Sequence, residues 1–438
     1  MGLSVQQLAD RHGGALARPC PGEDLRQTFL MCTGIECSSP TVQGGRRRDQ
    51  LEETGHYEHW RQDLALAVDS GARYLRYGIP YYRTHLGPGR YDWSFADEVL
   101  PAIWEHGLIP IADLCHFGVP DWVGSFQNGD WPRHFAEYAA AFAERYPWIK
   151  FYTPVNEILV CSRFSALYGC WNEQETSEKA LVTAYRVQCR ATLLAIEAIL
   201  ERRHDAVFVQ SEIAECFLEQ WPQTRDAVRF RNEHRFVTFD FLYGCAPGAE
   251  VVNFLYDHGL SREDFEWFMA HGRQAALHCV MGMDYYGNNE KVVQKDGGEV
   301  APGATLGWGE IAMQYFQRYR RPMMLTETNA IDDGKGRAMA WLRRTWHQAR
   351  FLRDQGVPVL GYTWYSLIDQ VDWDIQLREI RGVVTPNGLY TMDRQPRDVA
   401  GAYRDLARDY ARTPLLQAMP EGLERETCVT DSPDAPAP

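Results

Sequence analysis

Basic charge, paired cysteines and long apolar runs are all scarce in this chain of 438 residues, and each shortage excludes a class of function. Lys and Arg number 45 against 59 Asp and Glu, a formal charge of −14. Nucleic acid is held by basic faces that displace counterions from phosphates, so it is not an expected partner. The one basic run, RRR at residues 46–48 in a Gly-containing stretch, reads as a solvated turn. The 11 cysteines are odd in number and scattered, without a CxxC pair or a His spacing suited to zinc. They indicate neither a disulfide framework nor a metal site, and fit free thiols in a reducing cytoplasm. No apolar run reaches the roughly 20 residues of a membrane span. The N-terminal MGLSVQQLADRHGG lacks a signal-peptide core and, with Gln6, a myristoylation motif. The chain reads as soluble and cytoplasmic, with no membrane partner.

What is present is an alternation. Short apolar runs at residues 28–35, 74–79, 109–116, 151–156, 207–212, 281–286, 323–326 and 359–364 are separated by amphipathic stretches. The clearest helices are expected over residues 57–70, 131–146, 178–203, 336–355 and 397–410. Eight strands alternating with helices predict an α/β fold, a single (β/α)8 TIM barrel with its working face at the C-terminal strand ends. A doubly wound open sheet would carry a Gly-rich phosphate turn after an early strand, and none occurs. Residues 1–27 read as a leader, 28–426 as the barrel, and 427–438, rich in Pro, Asp and Ala, as a disordered tail. Aromatic residues make up 13% of the chain, with 14 Trp and 22 Tyr. That suits either an aromatic core or a cleft that stacks rings on apolar sugar faces.

Two carboxylates stand where barrel chemistry is expected. FYTPVNE runs an apolar segment into Asn156 and Glu157 at the fourth strand end, and PMMLTETN does the same with Glu327 at the seventh. One carboxyl group that protonates a leaving oxygen, facing another that attacks the anomeric carbon, suffices for glycoside hydrolysis. Either Glu alone is compatible with a surface or ion-pair role, but the matched pair favours catalysis.

At these residues the chain resembles glycoside hydrolase family one and its clan of barrels with catalytic residues on strands four and seven. TPVNE is similar to the family's acid/base motif and LTETN to its nucleophile motif. The resemblance implies Glu157 as acid/base, Glu327 as nucleophile and Asn156 as a partner of the sugar 2-hydroxyl. YLRYGIPYYR resembles the second-strand FRFSISWSR, implying Arg76 beside the nucleophile, where its charge would keep the carboxylate ionised. LCHFGVPDW resembles YHWDLP, implying His116 as a sugar contact, and GMDYYGN resembles GINYY, implying Tyr286 as a hydrogen-bond partner of the nucleophile. GYTWYSLIDQVDW resembles GYFVWSLLDNFEW and maps Asp372 and Trp373 onto distal sugar contacts, with Trp364 as a further candidate or as core.

The departures bear on substrate choice. Ile158 replaces the family's Pro, Asp284 its strand-six Asn, Tyr365 a Trp, and Asp372 a Glu. The first strand, FLMCTGIECSSP, lacks the family's Gln, and Glu36 is the candidate to stand in. No Ser/Lys/Tyr cluster favours a sugar 6-phosphate. The resemblance implies a retaining β-glycosidase without metal or organic cofactor, taking a small-molecule glycoside or oligosaccharide. A transglycosidase using the same pair and a non-catalytic carbohydrate-binding barrel are the alternatives, and the sequence leaves the oligomeric state open.

Overall fold

A computed structural model of the protein describes residue 7 and residues 29–410. Apart from that one residue, the expected leader and tail lie outside the described residues. The eight expected strands are all present: β1 (Leu30–Ile35), β2 (Tyr74–Gly78), β3 (Ile109–Asp113), β4 (Phe151–Thr153), β5 (Val207–Ile213), β6 (Cys279–Asp284), β7 (Met323–Glu327) and β8 (Val359–Trp364). They pair in parallel, each with the next, and β8 closes on β1 with Leu30 opposite Gly361. Strands covered on both faces read as continuous apolar runs, and every residue of β1, β2, β3 and β7 is buried. β4 is shorter than the apolar run that announced it, because Pro154 has no N–H to continue the ladder.

Around the barrel run α1 (His56–Asp69), α2 (Ser94–Glu105), α3 (Trp131–Arg145), α4 (Glu178–Leu200), α5 (Arg225–His234), α6 (Trp308–Tyr319), α7 (Arg337–Asp354) and α8 (Asp398–Tyr410). α3 buries Trp131, Phe135, Tyr138 and Phe142, one stripe at helical spacing, and packs on α4. The Ser177 side chain caps α4 by accepting from Ala180 N at 3.1 Å. Between β5 and β6 the chain adds three further helices, Val237–Tyr243, Ala249–Asp257 and Arg262–Ala275. A small sheet of Cys216–Leu218, Glu290–Val293 and Glu299–Val300 stands beside the barrel mouth. Among the described residues, no helix is long and apolar enough to cross a membrane.

One sequence expectation is corrected. The basic run is not a solvated turn: Arg48 is wholly buried, its guanidinium bonded to Glu53, Asp372 and the Glu379 carbonyl. Its neighbour Arg47 bonds the carbonyls of Ser39 and Val119, both at 2.7 Å. Eight of the described cysteines are free thiols, seven of them buried.

β1 approaches the end of β8 closely at Gly34, where a Cβ would be driven into the Tyr365 ring. That ring lies parallel to the His116 ring, centroids 6.3 Å apart, and 5.3 Å from the Arg76 guanidinium carbon. Gly34→Ala is expected to destabilise the protein by about 1–3 kcal/mol through overpacking, read by denaturant unfolding. An unchanged midpoint would show that the ring moves aside freely.

Candidate active site

The C-terminal strand ends converge on a group of buried polar side chains. Glu327 closes β7, and a bulge between Met283 and Asp284 brings Asp284 directly opposite it. Arg76, from β2, donates through Nη1 to Glu327 Oε1, and Tyr286, just past β6, donates to Oε2 at 2.7 Å. Both Glu327 oxygens are therefore oriented, one by a cation. Arg76 Nη2 also donates to Asn156 Oδ1 at 2.7 Å. Asn156 Nδ2 lies 3.1 Å from His116 Nε2, and His116 Nδ1 lies 2.8 Å from Asp113 Oδ2, itself 3.5 Å from Arg76 Nη2. These contacts close a ring of Asp113, His116, Asn156 and Arg76 in which the Asp113 carboxylate accepts from both Arg76 and His116.

Glu157 follows β4 with φ 41°, a left-handed conformation that costs a non-glycine residue about 1–2 kcal/mol. Its N–H is held by the Ser211 carbonyl at 3.0 Å. Strain of this kind persists where surrounding contacts over-determine it, and here it turns the carboxyl group into the mouth of the barrel. Carboxylate oxygens of Glu157, Asp284 and Glu327 all lie within 4.8 Å of one another. Burial, then the adjacent Asp284 and Glu327, push the Glu157 carboxyl well above the ordinary range. Asp284 is raised likewise, by burial and then by Glu327, and Ser211 Oγ sits 2.9 and 2.7 Å from its two oxygens. Behind them, burial lifts Glu212 to about 7, while its carboxyl group accepts from Leu159 N and Thr238 Oγ1.

A cavity of about 1240 Å³ opens onto this cluster. Of the residues singled out from sequence, Glu36, His116, Glu157, Tyr286, Glu327 and Trp373 line it. Arg76 and Asn156 stand behind the wall, buried and bonded to the residues that do line it. Trp364 is wholly buried, its Nε1 given to the Asn387 carbonyl, and belongs to the packing. Asp372, expected as a distal contact, is not on the wall either. Its carboxylate accepts from the N–H groups of Arg381, Gly382 and Val383 at 2.8–2.9 Å and from Arg48 at 3.1 Å. Despite its burial, those donors hold it below the usual carboxylate range. It staples a loop, and its shorter side chain suits that task.

The sequence reading missed two further polar residues of the cavity wall. Gln370, two positions before Asp372, lines the cavity and donates to Glu36 Oε2 at 2.8 Å, and Asn387 donates to Gln370 Oε1 from the same wall. A Gln in the aligned DQVDW segment was the available signal for the first, whereas nothing in TPNG marks the second. Among the described residues, two groups have the spacing to hold a cation, Glu157–Asp284–Glu327 and Cys37–Asp113–His116. In both, the Arg76 guanidinium already lies against a member carboxylate, and spacing alone assigns no ion.

Because Asp284 adds negative charge beside Glu157, Asp284→Asn is expected to lower the pH at which Glu157 loses its proton. The carboxyl ¹³C titration of Glu157 reads this directly, and an unmoved midpoint would mean that Asp284 contributes nothing to it.

No family model matches the chain. Among curated proteins it is 26% identical over 409 residues to "Beta-glucosidase 1B" of Phanerodontia chrysosporium, covering 79% of this chain and 75% of the relative. It is 27% identical over 156 residues to "6-phospho-beta-glucosidase AscB" of Escherichia coli (strain K12), a match spanning 33% of each. Among solved structures, the β-glucosidase of Thermotoga maritima in complex with deoxynojirimycin superposes with a TM-score of 0.75 at 18% identity, over 88% of this chain and 99% of that one. At that identity the superposition speaks for the fold alone. Joined to the curated β-glucosidases, it identifies the chain as a glycoside hydrolase family one-like protein, a β-glucosidase-like (β/α)8 barrel.

Proposed function

We propose that the protein is a retaining β-glycosidase in which Glu327 is the nucleophile and Glu157 the acid/base. The observation that supports this reading is that one carboxylate oxygen of Glu157 and one of Glu327 lie within 4.8 Å of each other. Retaining enzymes keep the two about 5–5.5 Å apart so that one can attack the carbon directly, whereas inverting enzymes leave about 6.5–9.5 Å for a water. The pair is also differentiated. Glu327 is held by Arg76 and Tyr286 as an acceptor, while burial and neighbouring carboxyl groups favour a proton on Glu157.

In the first step a Glu327 oxygen forms a bond to the anomeric carbon as the bond from that carbon to the leaving oxygen breaks. The Glu157 proton passes to the departing oxygen. In the second step Glu157, now a carboxylate, takes a proton from water, whose oxygen displaces Glu327 and restores the β configuration. A barrel that only bound sugars would have no need of two carboxyl groups at this spacing or of the strained backbone at Glu157.

Glu327→Ala is expected to abolish hydrolysis of aryl β-glycosides, and added azide to restore turnover with an α-glycosyl azide as product. A β-azide, or full activity without azide, would remove Glu327 from the nucleophile's role. Glu157→Gln is expected to lower kcat/KM, which reports the bond-cleaving step, about 10²–10⁴-fold for glycosides of poor leaving groups while sparing it for dinitrophenyl glycosides, whose departure needs no proton. Equal loss of kcat/KM on both would show that Glu157 is not the acid.

A further inference from the structure

Two consecutive residues at the end of β5 hold the chain on either side of the turn at Glu157. The Ser211 carbonyl accepts from Glu157 N at 3.0 Å. The Glu212 carboxyl group accepts from Leu159 N, at 3.2 Å through Oε1 and 3.0 Å through Oε2. Leu159 is the second residue of the short helix Ile158–Ser162, which starts directly after Glu157. The first N–H groups of a helix have no partner within it, and a buried one must find its acceptor elsewhere. Leu159 is wholly buried, and Glu212 is that acceptor.

Glu212 is itself fixed at both oxygens. Oε1 accepts from Ile213 N at 3.1 Å, and Oε2 from Thr238 Oγ1 at 2.9 Å. The residue is 2% exposed and stands behind Glu157 rather than on the cavity wall. Among the described residues it has no ion-pair partner: Arg163, whose charge acts on it, is paired with Glu215 at 2.6 Å. A buried carboxyl group without a paired cation is costly, and an apolar side chain would fill the space at less cost if filling it were the only task.

We propose that Glu212 is a positioning residue for the acid/base: by holding Leu159 N–H it locks the left-handed turn that carries the Glu157 carboxyl group into the barrel mouth. The inference deepens the β-glycosidase reading and rests on it for the proton that Glu157 delivers. A residue at φ 41° stays there only while surrounding contacts over-determine it, and Ser211 and Glu212 supply those contacts from one strand. Glu212 also raises Glu157 through its charge, less than Asp284 and Glu327 do. Reach and charge are therefore separated by experiment.

The test is a crossed pair of variants of the full chain. Glu212→Asp keeps the charge but is one methylene short of Leu159 N. Glu212→Gln loses the charge but keeps an oxygen for Leu159 N and Ile213 N, while its amide donates to Thr238 Oγ1. The readout is kcat/KM on the pH-independent plateau for phenyl and 2,4-dinitrophenyl β-glycosides. Glu212→Asp is expected to lose about 10–10²-fold on the phenyl glycoside and far less on the dinitrophenyl glycoside, whose departure needs no proton. Glu212→Gln should recover most of that loss. Far-UV circular dichroism and the melting temperature of each variant show that it is folded. Loss in Glu212→Gln but not in Glu212→Asp would assign the effect to charge, and equal loss on both substrates would assign it to general damage. Either result, or no loss in Glu212→Asp, overturns the proposal. Hydrogen exchange of the Leu159 amide is read independently, and is expected to be slow in wild type and faster in Glu212→Asp. Exchange in wild type as fast as at an exposed N–H would overturn the proposal even if Glu212→Asp failed to fold. No turnover of any glycoside by wild type would sink the glycosidase reading, and exchange at Leu159 would still decide whether Glu212 locks the turn.

Discussion

The guanidinium of Arg76 is the charge around which the barrel mouth is organised. It meets Glu327, Asp113 and Asn156 at once, at 1% exposure. Bringing ions out of water costs several kcal/mol each unless geometry and hydrogen bonds compensate. Here Glu157, Asp284 and Glu327 crowd into a few ångströms with that single cation against them. The crowding is tolerable when protons are retained, and the raised Glu157 and Asp284 carboxyl groups express this. In the mechanism proposed above, this electrostatic problem for the fold supplies both the acid and the nucleophile.

The surrounding structure holds that arrangement in place. The bulge in β6–β7 pairing sets Asp284 beside Glu327, the left-handed turn at Glu157 sends its carboxyl group into the mouth, and the ring of Asp113, His116, Asn156 and Arg76 ties the wall together. Glu157 and Glu327 follow different strands, so their approach depends on barrel closure rather than on one loop. Further out, the loops take other tasks. Asp372 and Arg48 tie the segment after β8 to the residues after β1, freeing Glu36 and Gln370 to face the cavity.

Much of this was legible in the sequence, and the reasons differ by element. The strands were visible because burial on both faces leaves unbroken apolar runs, and Glu157 and Glu327 because such runs end on them. Three of the helices between β5 and β6 were not read for visible reasons: Arg225–His234 is strongly polar, and Val237–Tyr243 and Ala249–Asp257 are short. Arg76, His116 and Tyr286 were identified by the motifs around them. Asp372 shows where such reasoning stops. Its segment aligned with a sugar-binding one, yet the backbone turns at φ 56° and presents the carboxylate to three N–H groups instead. Arg48 misled for a similar reason, since a charged run in a turn says nothing about a carboxylate 324 residues away that will bury it.

The central claim is that Glu327 and Glu157 act on opposite faces of one anomeric carbon by double displacement. Proton NMR of the sugar first released from an aryl β-glycoside, recorded before mutarotation, tests it most directly. The account predicts that the β-anomer appears first and the α-anomer grows in slowly. First appearance of the α-anomer would mean a single displacement by water, and the assignment of Glu327 as nucleophile would fall.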